Sequence, residues 1–169
     1  MRGILVSLIG AAALAFAAST ASANPPERRP DTKVEFPAIK DWNSLHISMS
    51  RTPCFGACPI YDVDIASDGT VHFNGIRFTA VTGAQTATIP RETVKALFER
   101  FRQAEFFWLF DQYTAQVTDL PSCILTLSFD GKTMRVRDYA GEMAGMPAVV
   151  RDLERAVDEA AQTDRWVRK

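Results

Sequence analysis

From Leu45 the chain alternates. Leu45, Ile47 and Met49 fall on one side of an extended segment, and His46, Ser48 and Ser50 fall on the other. A period of two marks a strand with one buried face. Tyr61, Val63 and Ile65 repeat the pattern against Asp62 and Asp64, which predicts a second strand with acids on its wet face. Ser67-Asp68-Gly69-Thr70 then reads as a hairpin turn, because glycine tolerates the positive φ that tight hairpins demand. Val71 and Phe73 form a third strand ended by Asn74-Gly75, and a short fourth strand is expected over Ala87 to Ile89. At Pro90 the period changes. Proline suits a first helical turn, where its missing N–H costs nothing. Val94, Leu97, Phe98, Phe101 and Ala104 then follow the spacing of one apolar helix face.

The aromatic stretch Phe106 to Phe110 must pack against something, and Asp111 to Ser122 reads as a loop. Cys123, Leu125, Leu127 and Phe129 share one strand face, Asp130-Gly131 turns the chain, and Met134 with Val136 marks the returning strand. Gly141 to Gly145 is a loop, and Pro147 opens a last helix with Val149, Leu153, Ala156, Val157 and Ala160 inward. The order strand, strand, helix therefore occurs twice. It predicts an α+β two-layer sandwich, with an antiparallel sheet carrying both helices on one face.

The first residues carry a different pattern. Arg2 precedes an apolar run from Ile4 to Ala18, and Ala21-Ser22-Ala23 has the small-x-small form cut by signal peptidase. The run is short for a membrane span, which needs about 20 residues. Residues 1–23 are therefore expected to be a signal peptide, residues 24–40 a Pro-rich linker or arm with order near Val34 and Phe36, and residues 41–169 one domain. The expectation is export, to the periplasm in a cell with two membranes, with no later membrane span. Nineteen basic residues against 20 acidic ones give a net charge of −1. That balance lacks the basic surface a nucleic-acid partner requires.

Export changes how the three cysteines are read, since an oxidising compartment favours disulfides over metal sites. Cys54 and Cys58 lie in one short loop with Gly56 between them and Pro59 just outside. A disulfide closing that loop is the reading adopted, with Gly56 and Pro59 shaping it and Cys123, on an apolar strand face, as the spare thiol. Three alternatives stay open at this point. One is thiol exchange, although the spacing is one longer than Cys-x-x-Cys and a strand follows, not a helix. Another is metal binding with His46 or His72. The last is pairing of either cysteine with Cys123 or with another chain.

Arg51 falls on the alternation face of Met49, an unexpected place for a charge. Either the strand has ended and Arg51 is solvated, or it lies against the cysteine loop or a carboxylate such as Asp119. Tyr61 is a core residue with its hydroxyl satisfied. Arg51, Tyr61 and Asp119 are the candidate binding residues. No serine-hydrolase, zinc-protease or phosphate-loop motif is present, and Asp62 and Asp64 sit on a solvated strand face, so no catalytic residue, metal ligand or cofactor is assigned.

Arg51, Cys54, Gly56, Cys58, Pro59 and Tyr61, followed by Asp68-Gly69 and a strand, resemble the domain of unknown function family 6438, whose pattern is Arg-x-x-Cys-x-Gly-x-Cys-Pro-x-Tyr. The likeness continues through Thr118-Asp119-x-Pro121 and the last helix, from Leu45 to Trp166. It implies a single exported domain in which the cysteine loop matters, and it supplies no mechanism. The reading is a binding or scaffolding module presenting a closed loop to an envelope protein or a small ligand. Thiol or metal chemistry at Cys54 and Cys58 is the first rival, and an inhibitor or interaction protein using its outer sheet face is the second.

Overall fold

The computed structural model describes residues 35–168. The expected signal peptide and residues 24–34 of the expected arm lie outside the described residues. The elements run β1 (His46–Arg51), β2 (Ile60–Ala66), β3 (Thr70–Arg77), β4 (Gly83–Thr88), α1 (Arg91–Gln103), β5 (Gln112–Thr114), β6 (Cys123–Phe129), β7 (Lys132–Tyr139), α2 (Ala148–Ala161) and α3 (Asp164–Val167). Short 3-10 turns occupy Trp42–Ser44, Phe106–Trp108 and Gly141–Ala144.

The strands form one sheet in the order β4-β3-β2-β1-β6-β7-β5. Its seam is the antiparallel pair β1–β6, which runs from His46 opposite Ser128 to Arg51 opposite Cys123. The alternation dictates which side is covered. Ile47, Met49, Tyr61, Val63, Ile65, Val71, Phe73, Leu125, Leu127, Phe129 and Val136 are all buried. They form one cluster with Val94, Leu97, Phe98 and Phe101 of α1 and Val150, Leu153 and Val157 of α2. The architecture is the α+β arrangement expected, with both helices packed into one core against one sheet face. Phe36 docks on this core too, its ring edge-on to Phe98 and Phe107 and stacked on Phe129. The opposite face is polar, with Ser50 donating to Asp62 at 2.6 Å and His46 beside Asp64 at 3.2 Å.

Several expectations are corrected. The fourth strand is Gly83–Thr88, not Ala87 to Ile89, and β3 continues to Arg77. As an edge strand β4 buries no side chain fully, so nothing imposes an apolar period on Gly-Ala-Gln-Thr-Ala-Thr. The expected loop from Asp111 contains β5, which pairs parallel with β7 from Gln112 opposite Arg137 to Thr114 opposite Tyr139. Only Tyr113 of β5 is buried, too little signal for periodicity to register, and the sheet is therefore not wholly antiparallel. The halves are four strands and a helix, then three strands and two helices, the second of only four residues. On α2, Val150 and Ala161 are buried, whereas Val149 and Ala160 lie half-exposed at the flanks.

Gly69 fixes the β2–β3 hairpin. Its φ is +92°, and a Cβ there would lie 2.1 Å from the carbonyl oxygen of Ile89. That residue's N–H bonds back to the Gly69 carbonyl at 2.9 Å. Gly69→Ala is expected to lower stability by about 2 kcal/mol or more in urea denaturation, from the positive φ and the backbone collision together. A loss near zero would mean that this crossing does not constrain the chain.

Candidate functional site: a cleft beside a disulfide-closed loop

Between β1 and β2 the chain makes the cysteine loop, and Cys54 and Cys58 are joined in a disulfide with Cα atoms 5.9 Å apart. So small a ring contributes only about 2 kcal/mol in the chain-entropy account. Its effect is local. Phe55 N–H donates to the Asp119 carbonyl at 3.0 Å, and Thr52 N–H to the Ser122 carbonyl at 3.0 Å. Ser122 N–H returns a bond to Thr52 Oγ1 at 2.7 Å. The closed loop is thereby held against residues 119–122, with Gly56 exposed at φ +157° and Phe55 at the tip, 88% exposed.

The strand does not end before Arg51, so the alternation carries its guanidinium onto the core face below Met49. The carboxylate it meets is Asp158 of α2, not Asp119. Arg51 Nη2 donates to Asp158 Oδ2 at 2.7 Å, and Nε donates to the Tyr61 hydroxyl at 2.8 Å. Tyr61 in turn donates to Asp158 Oδ1 at 2.7 Å, as does Thr163 Oγ1 at 2.7 Å. Burial opposes the Arg51 charge, but the potential anions Cys123, Tyr61 and Asp158, with the Asp158 hydrogen bond, more than offset it and raise its pKa. Burial raises the Tyr61 phenol, helped by Asp158 and opposed by Arg51. Asp119 is exposed in the adjoining loop, its carboxylate accepting from Thr118 Oγ1 at 3.0 Å.

One and two turns back along α2 lies a second cluster. Asp138 of β7 and Glu154 of α2 are 3% and 2% exposed. Arg151 Nε sits 3.2 Å from Asp138 Oδ2 and 3.4 Å from Glu142 Oε1, and its Nη1 lies 3.7 Å from Glu154 Oε2. Asp138 Oδ1 accepts Gly141 N–H at 2.7 Å. Arg151 Nε and Glu154 Oε1 are buried without a hydrogen-bond partner. Burial pushes the Glu154 carboxyl up to about 7, with the Asp138 charge and a hydrogen bond to Asp138 adding to it and Arg51 and Arg151 opposing.

The two clusters meet in a cleft of about 370 Å³. One wall is Cys58 and Pro59 of the closed loop with Leu120 and Pro121; Arg51, Cys123, Asp138 and Arg151 complete it with Ser122 and Ala140. Cys123 is a free thiol, 6% exposed and raised in pKa first by burial. Two concavities of about 380 Å³ on the sheet have other walls. One contains Asp111, Arg135 and Arg137, the other Asp62, Asp64 and His72. Both sit on the solvated face. Of the residues proposed from sequence, Arg51 and Tyr61 converge through Asp158, and Cys58, Pro59 and Arg51 line the cleft. Asp119, His46 and His72 stand apart from it. No three His, Cys, Asp or Glu side chains gather at metal-binding distance among the described residues. Sequence reasoning missed Arg151, Glu154 and Asp158. Their three- and four-residue spacing puts a polar stripe beside the apolar face of α2, and that stripe was the available signal.

The chain belongs to the family defined by a domain of unknown function, DUF6438, whose model matches residues 45–161. The matched span takes in the cysteine loop, both arginines and the acids of α2. No curated protein matches the chain. No helix among the described residues is long and apolar enough to cross a membrane.

Two predictions follow from the charges. Asp158→Ala strands a half-buried guanidinium and is expected to cost about 2 kcal/mol, between the values for surface and buried pairs, against about 1 kcal/mol for Tyr61→Phe; urea unfolding of both variants measures this. Glu154 has a folded pKa raised from 4.5 to about 7. The stability its proton supports is complete below about pH 4.5 and is lost as pH rises through 7. Glu154→Gln should therefore match wild type near pH 4 and exceed it near pH 8, by up to about 3 kcal/mol. Parallel pH–stability curves for the two proteins would contradict this.

Proposed function

We propose that this chain is an exported, non-catalytic binding module, and that the cleft beside the disulfide-closed loop receives a small ligand. Export is supported by Arg2, the apolar run from Ile4 to Ala18 and the Ala21-Ser22-Ala23 cleavage pattern. The observation that carries the binding reading is the lining of the cleft. Apolar Pro59, Leu120 and Pro121 line the same cleft of about 370 Å³ as two guanidinium groups, the combination of apolar walls and few polar groups typical of ligand sites. Burial keeps the Cys123 thiol in the protonated, unreactive form, and the disulfide leaves Cys54 and Cys58 without a nucleophile. Both facts favour binding over thiol chemistry.

The test is a fragment screen by amide NMR on the disulfide-bonded protein. Hits are expected to shift the amides of Cys58, Ile60, Tyr61, Leu120, Ser122, Cys123, Asp138, Ala140 and Arg151, and to be weakened in Cys54→Ser with Cys58→Ser, where the wall is no longer closed. Hits confined to Ser48, Asp62, Asp64 and His72 would replace this reading with one that uses the open sheet face.

A further inference from the structure

We infer that the cleft takes a carboxylate carried on an apolar body, that Arg151 is its anchor, and that Glu154 couples its binding to proton uptake. This rests on the cleft being the binding site. The two arginines differ in the way that matters. Arg51 has its Nε and one Nη committed to Tyr61 and Asp158. Arg151 has three carboxyl groups within 3.2 to 3.7 Å, yet its buried Nε has no hydrogen-bond partner. It is held by charge and left short of an acceptor. A carboxylate that takes the place of the exposed Glu142 beside Nε matches the guanidinium edge with two parallel bonds and supplies that acceptor.

The accessible charge favours an anion. The Arg51 and Arg151 side chains are 27% and 39% exposed, whereas Asp138 and Glu154 beneath them are 3% exposed each. Glu142, which also reaches Arg151, is 70% exposed. Its pairing is screened by water and weak, so an incoming carboxylate displaces it from the guanidinium. The apolar body follows from Pro59, Leu120 and Pro121 in the same lining, with Leu120 45% exposed.

Glu154 enters because it faces this same charge balance from below. The charged or titratable groups around it are Asp138 on β7, Arg51 on β1, Arg151 and Asp158 on its own helix, Glu142 of the preceding turn through Arg151, and the Cys123 thiol on β6. Once the exposed Glu142 is displaced, Arg51 and Arg151 balance Asp138 and Asp158 as long as Glu154 is protonated. With Glu154 ionised, the floor carries one surplus negative charge a few ångströms from the ligand, in a setting where water screens little. A bound carboxylate therefore draws a proton onto Glu154, and an ionised Glu154 opposes the carboxylate.

Octanoate and octanamide are the probes, titrated calorimetrically into the disulfide-bonded protein at about pH 6 and about pH 8. Octanoate is about nine-tenths or more ionised at both, so a tenfold change belongs to the protein. Octanoate is expected to bind about tenfold more tightly at the lower pH, the ratio of protonated Glu154 for a group titrating near 7. Octanamide should bind at least about tenfold more weakly than octanoate at the lower pH, having lost the charge-assisted pair. Arg151→Gln should remove the preference for octanoate, and Glu154→Gln should bind octanoate with equal strength at both pH values. Equal binding of the two probes overturns the carboxylate assignment. A pH-independent wild type, or an unchanged pH dependence in Glu154→Gln, overturns the proton coupling. If octanoate leaves the cleft amides unmoved while other fragments shift them, the ligand class falls and the cleft stands. If nothing shifts them, both fall.

Discussion

A guanidinium on the apolar face of the central strand is the constraint around which one end of this domain is arranged. The alternation of β1 runs Ile47, Met49, Arg51 without a break, so Arg51 arrives where the next core residue belongs. Removing its charge from water without a partner would cost several kcal/mol. The Asp158 carboxylate meets it at 2.7 Å, steadied by Tyr61 and Thr163. Asp158 sits in the last turns of α2, where the helix dipole disfavours an anion, so the pairing satisfies both groups at once. It also fixes the rotation of α2 on the sheet. With Asp158 turned toward β1, helical spacing directs Glu154 and Arg151 along the same side toward Asp138 of β7. The composition of the cleft follows from that single alignment.

The disulfide has a different task. A ring this short adds little to global stability, and the core that carries the fold closes without it. What it does is hold the chain between β1 and β2 in one shape while backbone bonds join it to residues 119–122. Two segments far apart in sequence then form one wall. Cys123, opposite Arg51 in the β1–β6 ladder, stays a thiol in the floor of the same cleft, where burial removes its reactivity.

The fold was largely legible wherever a residue's place depends on one covered face. Leu45 to Met49, Tyr61 to Ile65, Cys123 to Phe129 and the apolar stripe of α1 all alternate or recur as the packing requires. Legibility failed where burial imposes no period. β4 at the sheet edge and three-residue β5 carry almost no pattern, because neither has an apolar row to hide. The disulfide was readable from the spacing of Cys54 and Cys58 together with the expectation of export. Arg51 and Tyr61 were readable as unusual, but the partner of Arg51 was not. Asp158 is 107 residues away, and among the many charges of α2 only its position in the 151, 154, 158 stripe distinguishes it. The nearer acid in the motif-bearing loop, Asp119, attracted the assignment and lies exposed on the loop's outer side.

The acids beneath the cleft raise a question of energetics. Burying Asp138 and Glu154 together is unfavourable, and well-packed apolar residues in their place would be neutral or more stable. Protonation of Glu154 lowers the cost by removing one charge and supplying a hydrogen bond to Asp138. It does not complete the cluster, since Glu154 Oε1 and Arg151 Nε keep no partner. The Arg51 cluster, built from the same residue types on the same helix, uses both Asp158 oxygens and the Arg51 Nε in short bonds. One arginine of the pair is thus finished by the fold and the other is not. A stability role explains the finished one. The unfinished one still offsets the buried charge of Asp138 and Glu154, but a stability role leaves its open Nε unexplained, and that difference separates Arg151 from the more conspicuous Arg51.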